Sequence, residues 1–245
     1  MTRAIYRITG PDRESFLQGL VTSDVAKLAD GMVYAAFLTP QGKYIADFFL
    51  IPADNAVLLD VDASIAAPTI QRLSMYRLRA DVQIEETALH LHRGTGPPPP
   101  DGFADPRHPD MGWRAYRDTP QTDDDTDWTA RRVAHCIPET GIELTPDSFI
   151  LEAGFERLNG VDFRKGCYVG QEVTARMKHK TQLRKGLARV RLSGPAEPGT
   201  PLTRDGKPAG ELHSVSGDQA IAYLRFDRAG DGLMAGDTAV TWIKD

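Results

Sequence analysis

"KGCYVGQE", Lys165–Glu172, is the stretch on which the reading of this chain turns. It holds one of only two cysteines in 245 residues, set between Gly166 and Gly170 and beside Lys165 and Glu172. Glycines allow tight backbone paths and the close approach of a ligand or a second backbone. From Gln171 to Lys178 the pattern predicts a helix with Val173 and Met177 on one face. Cys167 then falls in the turn before a helix N-terminus, where free N–H groups and positive partial charge favour an anion. That end and Lys165 favour a thiolate, whereas the Glu172 carboxylate opposes it. The residues leave that balance open.

Three readings of Cys167 compete. Free cysteine is often a small buried hydrophobe, and this is the plain alternative. A nucleophile needs a base, and His135 and His179 have no spacing that ties either to Cys167. A metal or iron–sulfur site held by this chain alone is not expected. Cys136 and Cys167 lie 31 positions apart with no C-x-x-C, short of the usual four thiolates. Cys167 can still supply one ligand to a cluster shared between chains.

The bulk composition narrows the class. Hydrophobic residues make up 41% and charged residues 26%, as in globular proteins, and the net charge of −5 gives no general support to nucleic-acid binding. Two cysteines do not make a disulfide framework, and a reducing compartment fits. No apolar run approaches the roughly 18 residues of a membrane span. The opening "MTRAIYRITG" alternates like a strand and lacks a signal peptide's apolar core. A cytoplasmic protein is expected, or a mitochondrial matrix protein whose presequence was removed.

Working outward, "AIYRITG", "MVYAAFL", "KYIADFFLI" and "NAVLLDVD" read as strands, with "TPQGK" (Thr39–Lys43) as a hairpin turn. "PDRESFLQGL" and Ala63–Leu78 read as helices, with Pro68 near the start of the second or kinking it. "VQIEE" and "ALHLHR" follow as strands. Pro97–Pro100 favours an extended linker or rim loop, and "DTPQTDDDTD" an acidic exposed loop. Trp128–Cys136 predicts a short helix. "LTPDSFILEAGFERLNG" reads as a turn, an apolar segment and a helix ending near Asn159-Gly160. After Gly186 short strands and turns, including Asp205-Gly206, predict a small antiparallel barrel or sandwich. The class is α+β.

Thr22, Ser23 and Asp24 suit a helix cap better than a pocket. His90 and His92 share one strand face without a metal partner in motif spacing. Cys136 reads as structural. Arg164, Lys165, Arg176, Lys178, Lys180, Arg184, Lys185, Arg189 and Arg191 form a basic stretch with Glu172 as its one acid. It reads as a solvated face or as a local positive field for an anionic ligand. RNA is disfavoured because no aromatic stacking series accompanies it.

"KGCYVGQEVTAR" resembles the signature of the YgfZ family of folate-binding proteins, which includes a mitochondrial iron–sulfur assembly factor. The signature is Lys-Gly-Cys-aromatic-x-Gly-Gln-Glu, and Lys165, Gly166, Cys167, Tyr168, Gly170, Gln171 and Glu172 match it. "FLQGLVTSDV", "TPQGKYIADFFL" and "ILEAGFERLNGVDF" are similar to other segments of the family. The wider superfamily includes the glycine cleavage T-protein, an aminomethyltransferase that uses tetrahydrofolate. The resemblance implies two related α+β lobes and a C-terminal antiparallel β-barrel around a central cavity. The corresponding segments are 1–93, 94–185 and 186–245.

It also implies a tetrahydrofolate-binding factor that assists assembly or repair of iron–sulfur clusters, with client enzymes or assembly proteins as partners. Cys167 becomes the functional thiol and Lys165 tunes it or touches the ligand. Gly166 and Gly170 shape the loop, and Gln171 and Glu172 bond to it or anchor the helix. Tyr168 and Arg176 complete the implied folate-binding set. Glu152, in "LEAG", matches a T-protein position where a carboxylate pairs with adjacent pterin N–H groups. T-proteins carry two adjacent acids where this chain has Ala46-Asp47, and they lack the cysteine signature. A folate-dependent aminomethyl or one-carbon transferase is therefore the alternative.

Overall fold

The computed structural model describes residues 2–180 and 182–244. By packing, the chain forms two compact units, each discontinuous. One comprises Met1–Thr126 with Phe155–Ala175, the other Asp127–Gly154 with Arg176–Asp245. The sequence reading drew three consecutive segments instead. The difference arises because residues 94–126 pack with the first unit and 127–154 with the second.

The first unit is built on an antiparallel sheet of order β2-β3-β4-β1-β5. Its strands are β1 (Arg3–Thr9), β2 (Val33–Leu38), β3 (Tyr44–Ala53), β4 (Ala56–Asp62) and β5 (Gln83–Glu86). Helices α1 (Arg13–Gln18) and α2 (Ala63–Met75) cover one face. Strand alternation explains which residues meet them. Phe48 and Leu50 of β3, and Leu59 and Val61 of β4, pack with Phe16 and Leu17 of α1 and Ala66 and Leu73 of α2. Asp62 caps α2 by accepting from the Ser64 N–H, and Pro68 sits inside the helix.

The intervening positions face the other way. There, Tyr34 lies opposite Phe49, and Phe49 opposite Asp60. A three-stranded sheet of β6 (His90–Gly94), β7 (Phe103–Ala104) and β8 (Trp113–Arg117) belongs to the same unit, in the order β6-β8-β7. Arg114 and Tyr116 project from the same side of β8. Both reach Asp60 Oδ2, at 2.9 and 2.8 Å, while Arg3 Nε donates to Asp60 Oδ1 at 2.5 Å. Arg107 and Arg114 also bind Asp105, and Arg114 lies 3.8 Å over the Phe49 ring. This polar layer is buried, so each charge needs its partners.

The second unit carries α3 (Trp128–Ala134) and a closed six-stranded barrel. The barrel strands are β9 (Lys185–Leu192), β10 (Pro201–Arg204), β11 (Lys207–Ser216), β12 (Gln219–Arg225), β13 (Leu233–Ala235) and β14 (Thr238–Trp242). Their order is β10-β11-β12-β9-β14-β13, closed by pairing of β10 with β13. Ala188, Val190 and Leu192 of β9 and Ala220, Ala222 and Leu224 of β12 alternate into its core. Helix α4 (Gln171–Lys180) precedes the barrel in sequence.

One expected helix is absent. Residues 150–159 run through successive turns, because Gly154 and Asn159 adopt φ of +78° and +57°. A left-handed residue ends a helix. The Asn159-Gly160 turn is instead held by Thr22, whose hydroxyl donates to Gly160 O, and by Ser23, which donates to Asn159 O. Of the three polar residues expected to cap, Asp24 does so, accepting from the Ala26 N–H.

Burial pushes the Asp105 carboxyl up, but Arg107 and Arg114 outweigh that and hold it at about 2. The folded value lies below the ordinary 3.8. The stabilisation is therefore complete above about pH 4 and lost as pH falls towards about 2. Urea titrations across that range are expected to show stability falling with pH, and Asp105→Asn is expected to flatten the fall. An unchanged slope would show that Asp105 does not carry it.

Candidate functional site

Helix α1 is only six residues long and ends at Gln18, so its last carbonyls need donors from elsewhere. Gly19, Leu20 and Val21 serve Ser15 and Leu17 locally, and the signature loop serves Gln18 and the two turn carbonyls of Gly19 and Val21. Lys165 Nζ donates to Gln18 O at 2.8 Å and to Val21 O at 2.5 Å, and the Val169 N–H donates to Gly19 O. A cation is favoured at this end of a helix. Lys165 is 7% exposed, and its ammonium lies 5.0 Å over the Tyr168 ring. Burial lowers its pKa to about 8, against the raising pull of Asp24 and Asp162. Burial likewise pushes the Tyr168 hydroxyl up to about 12, against a smaller pull from Thr174.

The other end of the loop rests on the β2–β3 hairpin. Gly170 has φ +85°, and a Cβ there would stand 2.7 Å from Thr39 O and 3.3 Å from Gly42 Cα. Gly42 is equally tight, since a Cβ on it would meet Val173 of α4 at 2.9 Å. Two glycine backbones therefore meet where the signature crosses the hairpin, and the hairpin's Gly42 and the signature's Gly170 explain each other. Helix α4 starts directly after, with the Thr174 hydroxyl bonded to Gly170 O.

Between these two anchors Cys167 is exposed. Gly166 is exposed too, and a Cβ there would meet nothing within 4 Å. Gln171 is partly buried, and Glu172 and Arg176 are exposed on α4. The other thiol, Cys136, is 4% exposed and packs with Val133 and Ile221. In the basic stretch, Arg189 donates to Ala134 O and Arg191 pairs with Asp218. Those charges have local structural uses.

Glu152 belongs to the second unit. It lines a cavity of about 280 Å³ between residues 142–153 and the outer faces of β9, β11 and β12. Tyr223 donates to Glu152 Oε2 at 2.5 Å, and Lys185 Nζ stands 4.0 Å from the same oxygen and 5.4 Å over the Tyr223 ring. Burial, then Glu152, pushes the Tyr223 hydroxyl well up, so it stays a donor. The cavity wall is fixed by Glu143, which accepts from the Ser214 hydroxyl and from Arg132. Lys185 entered the sequence reading only as part of a basic run. Tyr223 was missed, and its signal was an aromatic ring at an outward position of a barrel strand, "QAIAYLR".

Residues 184–245 match the family described as CAF17, C-terminal beta-barrel domain. The chain is 32% identical over 272 residues to the iron-sulfur cluster assembly factor IBA57, mitochondrial, of Mus musculus. That match covers 92% of this chain and 76% of the mouse protein. The chain belongs to the IBA57 family. The human protein of the same name is 30% identical, with 91% and 75% covered. The Mycosarcoma maydis homologue is 31% identical, and the match spans only 54% of that longer protein. The glycine cleavage system aminomethyltransferase T of Bartonella henselae superposes with a TM-score of 0.72, covering 99% of this chain and 83% of that one. At 14% identity this establishes a glycine cleavage T-protein-like fold. No helix among the described residues is long and apolar enough to cross a membrane.

Lys165→Met keeps the apolar stem but leaves the Gln18 and Val21 carbonyls without their donor. Each unpaired buried acceptor costs about 1–3 kcal/mol. Denaturant unfolding is expected to show a loss in that range, and Cys167 alkylation is expected to change as the loop loosens. Unchanged stability and alkylation would show that the anchor is dispensable.

Proposed function

We propose that this chain is an iron–sulfur cluster assembly or repair factor in which Cys167 is the working thiol and a tetrahydrofolate ring is held against Glu152. The relatives are named as iron–sulfur cluster assembly factors, and their names carry "mitochondrial", which fits the matrix alternative of the sequence reading. The observation that carries the thiol role is its contrast with Cys136. Cys167 is exposed on a loop pinned at both ends, whereas Cys136 is packed into the second unit. One accessible thiolate is one ligand, not four. The chain therefore lends a single ligand to a cluster whose remaining ligands come from an assembly protein or client enzyme.

The folate half of the proposal rests on the donor set around Glu152. An exposed-edge carboxylate at a cavity wall accepts two adjacent N–H groups, which a pterin ring offers. The cavity, about 280 Å³, lies at or below the roughly 300–1,000 Å³ of pockets for drug-sized ligands, so it fits a fused ring rather than a whole folate. When bound, the folate supplies a carrier of one-carbon or reducing chemistry. Glu152 and Tyr223 orient it, and Phe149 and Leu187 help exclude water.

The second reading, a one-carbon transferase, draws on the T-protein-like fold and on Glu152. Against it, Ala46 stands where one acid of the T-protein pair is expected, and both oxygens of Asp47 accept from tyrosines, Tyr34 and Tyr44. An assay for methylene-tetrahydrofolate from an aminomethyl donor separates the two, and no turnover is expected.

Cells carrying Cys167→Ala are expected to lose activity of cluster-dependent enzymes under oxidative stress while the variant's abundance and unfolding stay unchanged. Full activity in those cells would remove Cys167 from the function.

A further inference from the structure

The cavity around Glu152 contains more recognition than one carboxylate. Three side chains converge on one edge. Glu152 is 12% exposed at its side chain, and one of its oxygens is already held by Tyr223 at 2.5 Å. Lys185 is 50% exposed, with its ammonium 4.0 Å from that oxygen. Tyr223 links them, donating to the carboxylate and lying under the ammonium.

The carboxylate only accepts and the ammonium only donates. A ligand edge that satisfies both presents two adjacent N–H donors followed by an acceptor. A 2-amino-4-oxo pteridine has that order: the 2-amino group, the ring N3–H, then the 4-carbonyl. A neutral 2,4-diamino ring has an amino donor in place of the carbonyl and a bare N3 in place of N3–H, so it mismatches both the ammonium and one Glu152 contact.

We infer that Lys185 is the specificity-determining residue of this cavity, reading a ring carbonyl next to the Glu152 contact, and that Tyr223 is a positioning residue that fixes the carboxylate. The inference rests on the folate reading above and deepens it. Tyr223 does not touch the ring edge itself. Its hydroxyl consumes one lone pair of Oε2 and sets the carboxylate plane, so the remaining lone pairs face the cavity. Lys185 sits at the rim, exposed enough to close on a ligand and near enough to Glu152 to share one edge with it. A site built to hydrogen-bond a particular group rejects an analogue that leaves its polar groups unpaired.

The test uses the full chain with tetrahydrofolate, pterin and 2,4-diaminopteridine, by calorimetry and by the rings' own fluorescence. The pH is kept where the diamino ring is neutral, because its protonated form would pair with Glu152 for a different reason. Wild-type protein is expected to bind all three weakly or better and to prefer pterin over the diamino ring by about tenfold or more. Lys185→Met is expected to lower that ratio, leaving the part that Glu152 reads through N3–H, and Lys185→Arg to restore it, while Tyr223→Phe weakens both rings alike. Thermal unfolding of each variant separates these effects from loss of fold. Tetrahydrofolate binding with an unchanged pterin preference in Lys185→Met would overturn the role of Lys185 and leave the folate reading intact. No binding of tetrahydrofolate to wild-type protein would overturn both.

Discussion

The carbonyl end of α1 is the constraint on which the signature loop depends. Local N–H groups serve Ser15 and Leu17, but the carbonyls of Gln18, Gly19 and Val21 at the end of this short helix and its turn take donors from elsewhere. Lys165 and Val169 answer that need from far along the chain, with Lys165 and Gln18 separated by 147 positions. A lysine suits the task because a compact ammonium with three rotatable donors serves two separate carbonyls. The bonds also dictate what the loop cannot bury. With Lys165 and Tyr168 turned inwards and Gly170 pressed on Gly42, the residues between them bulge outwards, and Cys167 is among them. Its exposure follows from the anchoring of its neighbours.

The same unit solves a second problem on the far face of its sheet. Alternation puts Tyr34, Asp47, Phe49 and Asp60 on the side away from α1 and α2. Apolar packing there is interrupted by two carboxylates. The unit answers with Arg3, Arg107 and Arg114 and with the hydroxyls of Tyr34, Tyr44 and Tyr116, so each carboxylate oxygen has a donor. Such a layer contributes less to stability than an apolar one would, since desolvation offsets much of the attraction. It does fix the position of β8, because Arg114 and Tyr116 must both find Asp60. This accounts for the packing of the three-stranded sheet within the first unit, with the proline-rich segment between its own strands β6 and β7.

These two solutions differ in how visible they were beforehand. The strands of the first sheet, the "TPQGK" hairpin and the C-terminal barrel follow from local alternation and turn residues, and sequence shows them directly. The placement of residues 94–126 does not, because Pro97–Pro100 looks like a linker while the pairing of His90–Gly94 with Trp113–Arg117 is long-range. The turns at 150–159 were hidden for another reason. "FILEAGFERLNG" has helical composition, and the left-handed φ at Gly154 and Asn159 is a tertiary choice enforced by Thr22 and Ser23. At the site, the motif marked Cys167 and its glycines, but proximity in sequence made Lys165 look like a partner of the thiol. The side chain runs to helix carbonyls instead. Tyr223 and Lys185 lie on barrel strands remote from the motif, so only the fold brings them to Glu152.

Asp47 is where this chain departs from the pair of acids that the T-protein resemblance implies. Its strand, hairpin and depth are what a T-protein-like fold provides, and one acid of the expected pair is present. Both of its oxygens are occupied, Oδ2 by the Tyr34 hydroxyl and Oδ1 by the Tyr44 hydroxyl. Position 46 is alanine, so no second carboxylate stands beside it. The pair that elsewhere could divide acid and base work is reduced here to a packing element of the polar layer. In the proposed function the emphasis falls instead on a residue outside that layer, the Cys167 thiol, which the anchoring of its neighbours leaves exposed.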